Sequence, residues 1–260
     1  MKNLFDLTGK NAVVVGGAGG IGQVLAQGLA SAGANVILAS RNEESLKRAK
    51  DEIKVAADVE VSYHTVDACN EEWVELLVKD TAKKYGNIDI LVCAQGINKK
   101  FPLQEFQAET FRQMLDINVT SIMLCCKHFG AHMIKNGYGK IVILSSVRGK
   151  VASKLIGNIG YTTSKGAVDM LTKQVASELG QYGITVNAIA PTITETPMLS
   201  ALIEQRGGDA YRKSLGDGLP MKRMAMPEDC IGSAVFLASS ASDFMTGNIL
   251  YPDGGLTAVG

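Results

Sequence analysis

One glycine-rich segment restricts the possible fold more than any other part of the chain. Residues 16–22 read Gly-Gly-Ala-Gly-Gly-Ile-Gly, after an apolar, β-branched stretch at 10–16 and before an amphipathic run at 24–30. A strand, a glycine turn and a helix in this order let the backbone approach a pyrophosphate, and the helix N-terminus adds free N–H groups and partial positive charge. We therefore predict that a dinucleotide binds at this turn. The expected binding residues are Gly16, Gly20, Ile21 and Gly22.

Strand and helix patterns alternate through most of the remaining chain, joined by short polar connections. Buried strands are predicted at 10–16, 35–39, 59–66, 88–92, 140–144, 185–190 and 248–251, and further helices at 43–57, 71–85, 111–133, 161–179 and 227–238. This order is typical of βαβ units with right-handed crossovers. Because no repeat or linker interrupts it, the sequence predicts one domain over residues 1–260. Its fold class is α/β, a Rossmann-type, doubly wound parallel sheet of about seven strands with helices on both faces.

Two segments carry more specific structural expectations. On the helix at 71–85, the apolar face is expected to contain Trp73, Leu76 and Leu77. From Pro191 to about Met224 the pattern breaks down among glycines and methionines. Long irregular segments after a strand often close over a ligand, so we predict an irregular lid at 191–226.

The charge balance and the cysteine content exclude several classes of protein. The chain has 26 basic and 26 acidic residues, which gives no reason to expect nucleic acid or a membrane surface as a partner, and no apolar run is long enough to span a bilayer. Five cysteines without a Cys-x-x-Cys pair, and a polar N-terminus unlike a signal peptide, predict reduced thiols and a cytoplasmic location. His128 and His132 stand one helical turn apart but lack a third ligand, so no metal site is predicted.

The residues at the end of the second strand bear on the choice of dinucleotide. An acidic side chain there would bind the adenosine ribose of NAD. Here the strand ends at Ser40, Arg41 and Asn42, and a small hydroxyl followed by a guanidinium suits a 2′-phosphate. The sequence therefore favours NADP, with NAD still possible and with a solvated Arg41 as the simpler alternative.

Tyr161 and Lys165 are four residues apart on a predicted helix, so their side chains lie on one face. A phenol has a pKa of about 10, and a nearby ammonium lowers it toward the range that is useful for proton transfer. Such a pair also occurs by chance, as a tyrosine packed along a lysine stem. Its meaning depends on the other groups that the chain brings to it.

Taken together, these residues resemble the short-chain dehydrogenase/reductase family over essentially the whole chain. The motifs that support the resemblance are, in chain order, Gly16-x-x-x-Gly20-x-Gly22, Asp67, Gly96, Asn118, Ser146, Tyr161-x-x-x-Lys165, Asn187 with Pro191, and Asp253-Gly254-Gly255. Segments 39–42 and 96–100 and the ending Asp-Gly-Gly-Leu-Thr-Ala are similar to gluconate 5-dehydrogenase-like members.

The resemblance implies a role for each of four side chains. Tyr161 would exchange a proton with the substrate oxygen as general acid and base, and Lys165 would lower its pKa and hold the nicotinamide ribose. Ser146 would polarise the substrate oxygen, with Ser145 as the alternative, and Asn118 would anchor a water of the proton relay. Hydride transfer needs such a proton partner and oxygen donor. Considered singly, Ser146 could instead be a cap and Asn118 a residue at a helix kink.

The resemblance implies that Tyr161 and Lys165 also contact the cofactor. Further implied contacts lie at later strand ends: Asp67, Ala68, Ala94, Gly96, Pro191, Thr192, Ile193 and Thr196. The chain departs from the family's pattern at several of these ends. Val15 stands where threonine is usual, the turn at 93–96 lacks the usual asparagines, and Thr192 follows Pro191 where glycine is common. The gap from Ser146 to Tyr161 is longer than in many relatives, which predicts a longer loop on the substrate side. None of these changes removes a group that performs proton or hydride chemistry.

Polar and basic residues are expected around the substrate. The expected substrate contacts are Asn98, Ser146, Arg148 and Tyr161. The loop at 150–159 would complete the pocket, and the cations at its rim suit a small hydroxylated anion such as an aldonic acid. The alternative is that these cations are solvated surface groups. The methionines of the lid favour instead an apolar ligand or simple closure packing.

The function most consistent with these features is hydride transfer between NADP(H) and a secondary alcohol or ketone, of a sugar acid or polyol. An alternative is a 3-oxoacyl-thioester (acyl carrier protein) reductase. A non-catalytic nucleotide-sensing protein fits less well, because such proteins often lack the tyrosine or lysine that this chain retains. The resemblance also implies that the long apolar helices at 111–133 and 161–179 pair between subunits, in a homotetramer or a homodimer.

Overall fold

Seven parallel strands form one sheet in the computed structural model, which describes residues 3–153 and 157–259. The order across the sheet is β3-β2-β1-β4-β5-β6-β7. The strands are β1 (Asn11–Val15), β2 (Asn35–Ser40), β3 (Val61–Thr65), β4 (Ile90–Cys93), β5 (Gly139–Leu144), β6 (Ile184–Ile189) and β7 (Ile249–Leu250). The order turns back between β1 and β4, and a parallel sheet binds its ligand at the carboxyl ends of the strands beside such a point. The predicted doubly wound Rossmann-type fold is confirmed.

Helices cover both faces of the sheet. They are α1 (Gly20–Ser31), α2 (Glu43–Ala56), α3 (Glu71–Tyr85), α4 (Ala108–Leu115), α5 (Ser121–Asn136), α6 (Ile159–Leu179), α7 (Pro197–Gln205), α8 (Asp209–Asp217) and α9 (Ile231–Ala238). All five residues of β1 are buried, and Val13 and Val14 belong to different core clusters. Because alternate side chains point to opposite faces, a strand covered on both sides is apolar throughout, as its sequence indicated.

Two local expectations were wrong. On α3 the buried residues are Val74, Leu77 and Thr81, whereas Trp73 is 48% exposed and Leu76 is 52% exposed. Segment 191–226 is not irregular throughout, because it contains α7 and α8. Pro197 at the first turn suits a helix start, and the glycines that suggested a coil lie mainly at helix ends.

The helical region predicted at 111–133 extends from Ala108 to Asn136 and is interrupted by a π-helical turn at Asp116–Thr120. In this turn the N–H of Ser121 bonds to the carbonyl of Asp116, five residues earlier. Among the helices formed by residues 3–153 and 157–259, none combines the length and apolar character needed to cross a membrane.

Candidate active site

The glycine turn after β1 brings three backbone segments into contact. Gly16 has a φ of +80°, and a Cβ there would lie 2.6 Å from the backbone nitrogen of Gln95. A Cβ on Gly22 would overlap the carbonyl oxygen of Gly16. The first turn of α1 has neither an acidic residue nor a side-chain cap, so its N–H groups stay available to an anion. The turn therefore has the form of a phosphate cradle.

A cavity of about 690 Å³ opens from this turn along the carboxyl ends of the strands. Twelve of the predicted cofactor residues line it: Gly16, Gly20, Ile21, Gly22, Ser40, Arg41, Asn42, Asp67, Ala68, Ala94, Gly96 and Thr196. Of the remaining five, Thr192 lines a second cavity of about 350 Å³, and Tyr161, Lys165, Pro191 and Ile193 line neither. The groove extends over the ends of β3, β2, β1 and β4.

Two guanidinium groups, one after β2 and one on α2, line the groove. Arg41 was predicted there, and Arg48, seven residues later on α2, also lines the groove. Asn42 caps α2 by accepting the backbone N–H of Ser45 at 2.8 Å, so part of its role is structural. In the sequence, Arg48 was placed on the second turn of the helix predicted at 43–57, and no local pattern marked it as a cofactor contact.

Asp67 shapes the turn after β3. Its Oδ1 accepts the backbone N–H of Cys69 at 3.0 Å. Burial, together with the charges of Asp67 and Asp116, raises the pKa of the Cys69 thiol to about 11. This thiol at the groove wall is therefore protonated and unreactive at neutral pH.

Asn118 lies on the π-turn and is fully buried. Its Oδ1 accepts the N–H of Ile97 at 2.8 Å, and its Nδ2 donates to the carbonyl of Ile97 at 2.9 Å and to the Ser164 hydroxyl at 3.0 Å. Ser164 in turn donates to the carbonyl of Tyr161 at 2.8 Å. Asn118 thus joins the segment after β4 to the helix that carries Tyr161 and Lys165. A residue that served only to kink its own helix would not need these bonds to two other segments.

Lys165 is 3% exposed and points under the end of β5, where its Nζ donates to the carbonyl of Leu144 at 2.7 Å. Burial lowers its pKa to about 8, and the nearby charge of Asp169 opposes that effect. The Nζ lies 5.6 Å from the centroid of the Tyr161 ring. The ammonium is therefore close to the phenol and titrates near the physiological range.

Ser146 and Tyr161 meet across the cleft between β5 and α6. Burial raises the pKa of Tyr161, while a hydrogen bond with the Ser146 hydroxyl and the positive charge of Arg148 lower it. The hydroxyl of Ser146 lies 3.4 Å from the carbonyl of Pro191. Ser145, the alternative for the serine role, donates its hydroxyl to Asp169 instead. The structure therefore brings Ser146, and not Ser145, to the tyrosine.

The other two predicted substrate contacts, Arg148 and Asn98, bond to residues of the loop that precedes α6. Arg148 donates from Nη1 to the carbonyl of Ala152 at 2.7 Å, and the exposed Asn98 donates to Asn158 at 3.4 Å. Lys99 bonds to Gln113 at 2.7 Å. Residues 154–156 of the predicted loop, and the side chain of Met198, lie outside the described residues.

An ion pair that the sequence did not indicate holds the segment after β6. Arg212 on α8 reaches both carboxylate oxygens of Glu195 at 3.0 Å. Ser200 on α7 also bonds to Glu195, at 3.3 Å. The backbone of Glu195 donates to Ala225 at 2.8 Å. Both α7 and α8 are therefore attached to one carboxylate, just beyond the residues expected beside the nicotinamide.

Comparison with known proteins agrees with this geometry. A family model described as enoyl-(acyl carrier protein) reductase matches residues 16–257. The 5-keto-D-gluconate 5-reductase of Escherichia coli K12 is 36% identical over 263 aligned positions, which cover 98% of this chain and 98% of that protein. The chain is a short-chain dehydrogenase/reductase.

Two further relatives in the family are named for different substrates. The 2,5-dichloro-2,5-cyclohexadiene-1,4-diol dehydrogenase of Sphingobium indicum (strain B90A) is 37% identical, covering 98% of this chain and all of its own length. A gluconate 5-dehydrogenase from Burkholderia cenocepacia J2315, solved in complex with NADP and tartrate, matches with a TM-score of 0.89 at 33% identity, covering 99% of this chain and 98% of its own. Membership of this family makes the chain an NAD(P)-dependent oxidoreductase, and the named substrates differ among its relatives.

Proposed function

We propose that this protein transfers a hydride between NADP(H) and a secondary alcohol or ketone of a sugar acid or polyol. The observation that carries the cofactor choice is the pair of exposed arginines, Arg41 and Arg48, in the adenosine end of the groove, where Ser40 leaves no carboxylate. A guanidinium pair suits a 2′-phosphate dianion, whereas NAD would lack its usual acidic partner. Gly16 and Gly22, with the open N-terminus of α1, would hold the pyrophosphate.

The remaining residues of the site would handle the proton. Bound nicotinamide accepts or supplies the hydride. Tyr161 would give or take a proton at its phenol oxygen, and Ser146 would donate a hydrogen bond to the substrate oxygen. Lys165, with a pKa of about 8, would hold the ribose hydroxyls and exchange protons near neutral pH. Asn118 would hold the segment at Ile97, after β4, at a fixed position relative to the start of α6.

The substrate class rests on the relatives and on charge at the rim. Proteins named for 5-keto-D-gluconate and gluconate are similar over nearly the whole chain. The positive charge of Arg148 lowers the pKa of Tyr161, and a guanidinium suits a carboxylate, so we assign Arg148 to the substrate's anionic group. We propose that segment 191–226 closes over this substrate. The alternative acyl-thioester activity is favoured by the description of the family model and by Met221, which is 61% exposed beside the second cavity.

A substrate panel tests this function. Purified protein would be assayed at the nicotinamide absorbance with both dinucleotides, against gluconate, its 5-keto form, neutral polyols and acetoacetyl thioesters. We expect turnover of the sugar acids with NADP(H), and a loss of about 10²–10⁴-fold in kcat for Tyr161→Phe. Arg148→Ala should raise KM for anionic substrates, whereas Lys99→Ala, the matched rim control, should not. Full turnover by Tyr161→Phe would contradict the mechanism, and exclusive turnover of thioesters would contradict the substrate class.

We also propose that the protein forms a homotetramer or a homodimer. We further propose that it works in a reducing compartment, as expected for the cytoplasm. Met123 and Ile134 on α5 and Met170 on α6 are exposed in the single chain, and Met170 is 62% exposed. Burying these side chains between subunits would be favourable. All five cysteines are free thiols. Light scattering coupled to size exclusion measures the mass, and a monomer at micromolar concentration would contradict this assembly.

A further inference from the structure

A buried carboxylate lies one helical turn beyond Lys165, and the mechanism proposed above does not use it. Asp169 is 8% exposed and repeats the four-residue spacing of Tyr161 and Lys165 along α6. An ionisable side chain is seldom buried unless it is paired or functional. The groups around Asp169 therefore indicate what it does.

Asp169 connects α6 to the end of β5. Its carboxylate accepts a hydrogen bond from the hydroxyl of Ser145, the residue directly before Ser146. Ser145 also donates its backbone N–H to Ile189, at the end of β6, at 2.7 Å. The strand end that carries Ser146 is thus attached to the neighbouring strand on one side and to the helix of Tyr161 on the other.

The turn after Ser146 packs directly on this carboxylate, and Gly149 allows it to do so. A Cβ at position 149 would lie 2.7 Å from the carboxyl carbon of Asp169 and 2.8 Å from the carbonyl oxygen of Lys165. A larger residue would have to move the turn away from α6, because both obstacles belong to a packed helix. The position of the Ser146 turn therefore depends on Asp169.

Charged and titratable groups from three elements face Asp169 in the described part of the chain. Lys165 and Lys173 come from α6, Ser145 from the end of β5 and Tyr251 from the residue after β7. Burial raises the pKa of Asp169, whereas the hydrogen bond from Ser145 and the two lysines lower it. In return, the negative charge of Asp169 favours the charged form of Lys165 against the effect of burial.

We propose that Asp169 is a positioning residue of this active site: it ties the strand end of Ser146 to the helix of Tyr161, and its negative charge keeps Lys165 in the ammonium form. The inference rests on the proposed function only in assuming that Lys165 works as the ammonium. Lys165 has no carboxylate within ion-pair distance among the described residues, so Asp169 supplies the compensating charge from one turn away.

The test is the pH dependence of ketone reduction with NADPH. Asp169→Asn keeps an acceptor for Ser145 and removes the charge. We expect the alkaline limb of its pH profile of kcat/KM to move to lower pH by about one unit, because loss of a nearby negative charge disfavours the ammonium form of Lys165. Activity relative to the unmodified protein then falls about fivefold at about pH 8 and hardly at about pH 6. Ser145→Ala keeps the charge and loses the tie, so it should lower kcat without moving the limb.

Two controls separate this role from general stability. Glu178→Gln removes an exposed charge from the same helix and should leave the profile unchanged. Asp169→Glu restores the charge and should return the limb toward its original pH. If the Asp169→Asn profile coincides with that of the unmodified protein, whatever its thermal stability, the inference fails. Absence of sugar-acid turnover in the unmodified protein would instead count against the proposed function, and the pH profile could still be measured with any ketone that the protein reduces.

Discussion

Removing the Arg48 guanidinium should weaken NADP binding selectively. Arg48 and Arg41 line the same end of the groove as Ser40, and both side chains are exposed there. A charge-assisted contact to a phosphate dianion at an exposed site is worth about a five- to thirtyfold change in affinity. We therefore expect Arg48→Gln to raise the Kd for NADP by that factor and to leave the Kd for NAD unchanged.

Equilibrium titration of the protein with each dinucleotide, by calorimetry, measures both constants without turnover. Lys47→Gln provides a matched control, because it removes the neighbouring charge from the same helix. Lys47 pairs with Glu43 at 2.9 Å and does not line the groove. The difference between Arg48→Gln and the unmodified protein should also shrink as salt rises, since the contact is screened over about 10 Å at 0.1 M. Equal losses for NADP and NAD would refute the assignment of Arg48 to the 2′-phosphate.

Two further predictions concern the glycine turn and the lid. Gly22→Ala should lower the free energy of unfolding by about 1–3 kcal/mol, because the new Cβ would overlap the Gly16 carbonyl. Gly19→Ala should change it little, because no atom lies within 4 Å of a Cβ at that position. Denaturant titration without cofactor measures both values, and equal effects would contradict the packing argument. Arg212→Gln should raise KM severalfold while Lys213→Gln does not, because only Arg212 bonds to Glu195. Arg212 holds the pKa of Glu195 below its ordinary value of 4.5. The ion pair is therefore intact above that pH and is lost as the carboxylate is protonated at lower pH. A KM that does not change across that acidic range would contradict a role for this ion pair in substrate binding.

The fold was predictable because most strands are runs of apolar residues and most connections between a strand and the following helix are short. Those patterns are local, and the boundaries of β2 and α3 agree with the expected ones within a residue. Helices α7 and α8 were missed because the glycines between them and at the end of α8 suggested an irregular segment. Trp73 and Leu76 were misplaced because periodicity shows which residues share a face and not whether another element covers it.

The candidate site was predictable where one motif carries the chemistry and less so where separate segments meet. Tyr161 and Lys165 share a helix, so their proximity followed from spacing alone. The contact between Ser145 and Asp169 joins positions 24 residues apart, and the ion pair of Glu195 with Arg212 joins positions 17 apart. Such contacts depend on the packing of β5, α6 and the lid, which no local pattern specifies.

The π-turn at Asp116–Thr120 holds one residue more than a regular helix would in the same angular span. Deleting a single residue here would therefore let an unbroken α-helix form, with α4 and α5 still in their present relative orientation. Asn118 lies on this turn, and it would lose the position from which it bonds to Ile97 and Ser164, because a regular helix places each residue about 100° from the next. Such a shortened chain should keep its fold and lose the link between the end of β4 and α6.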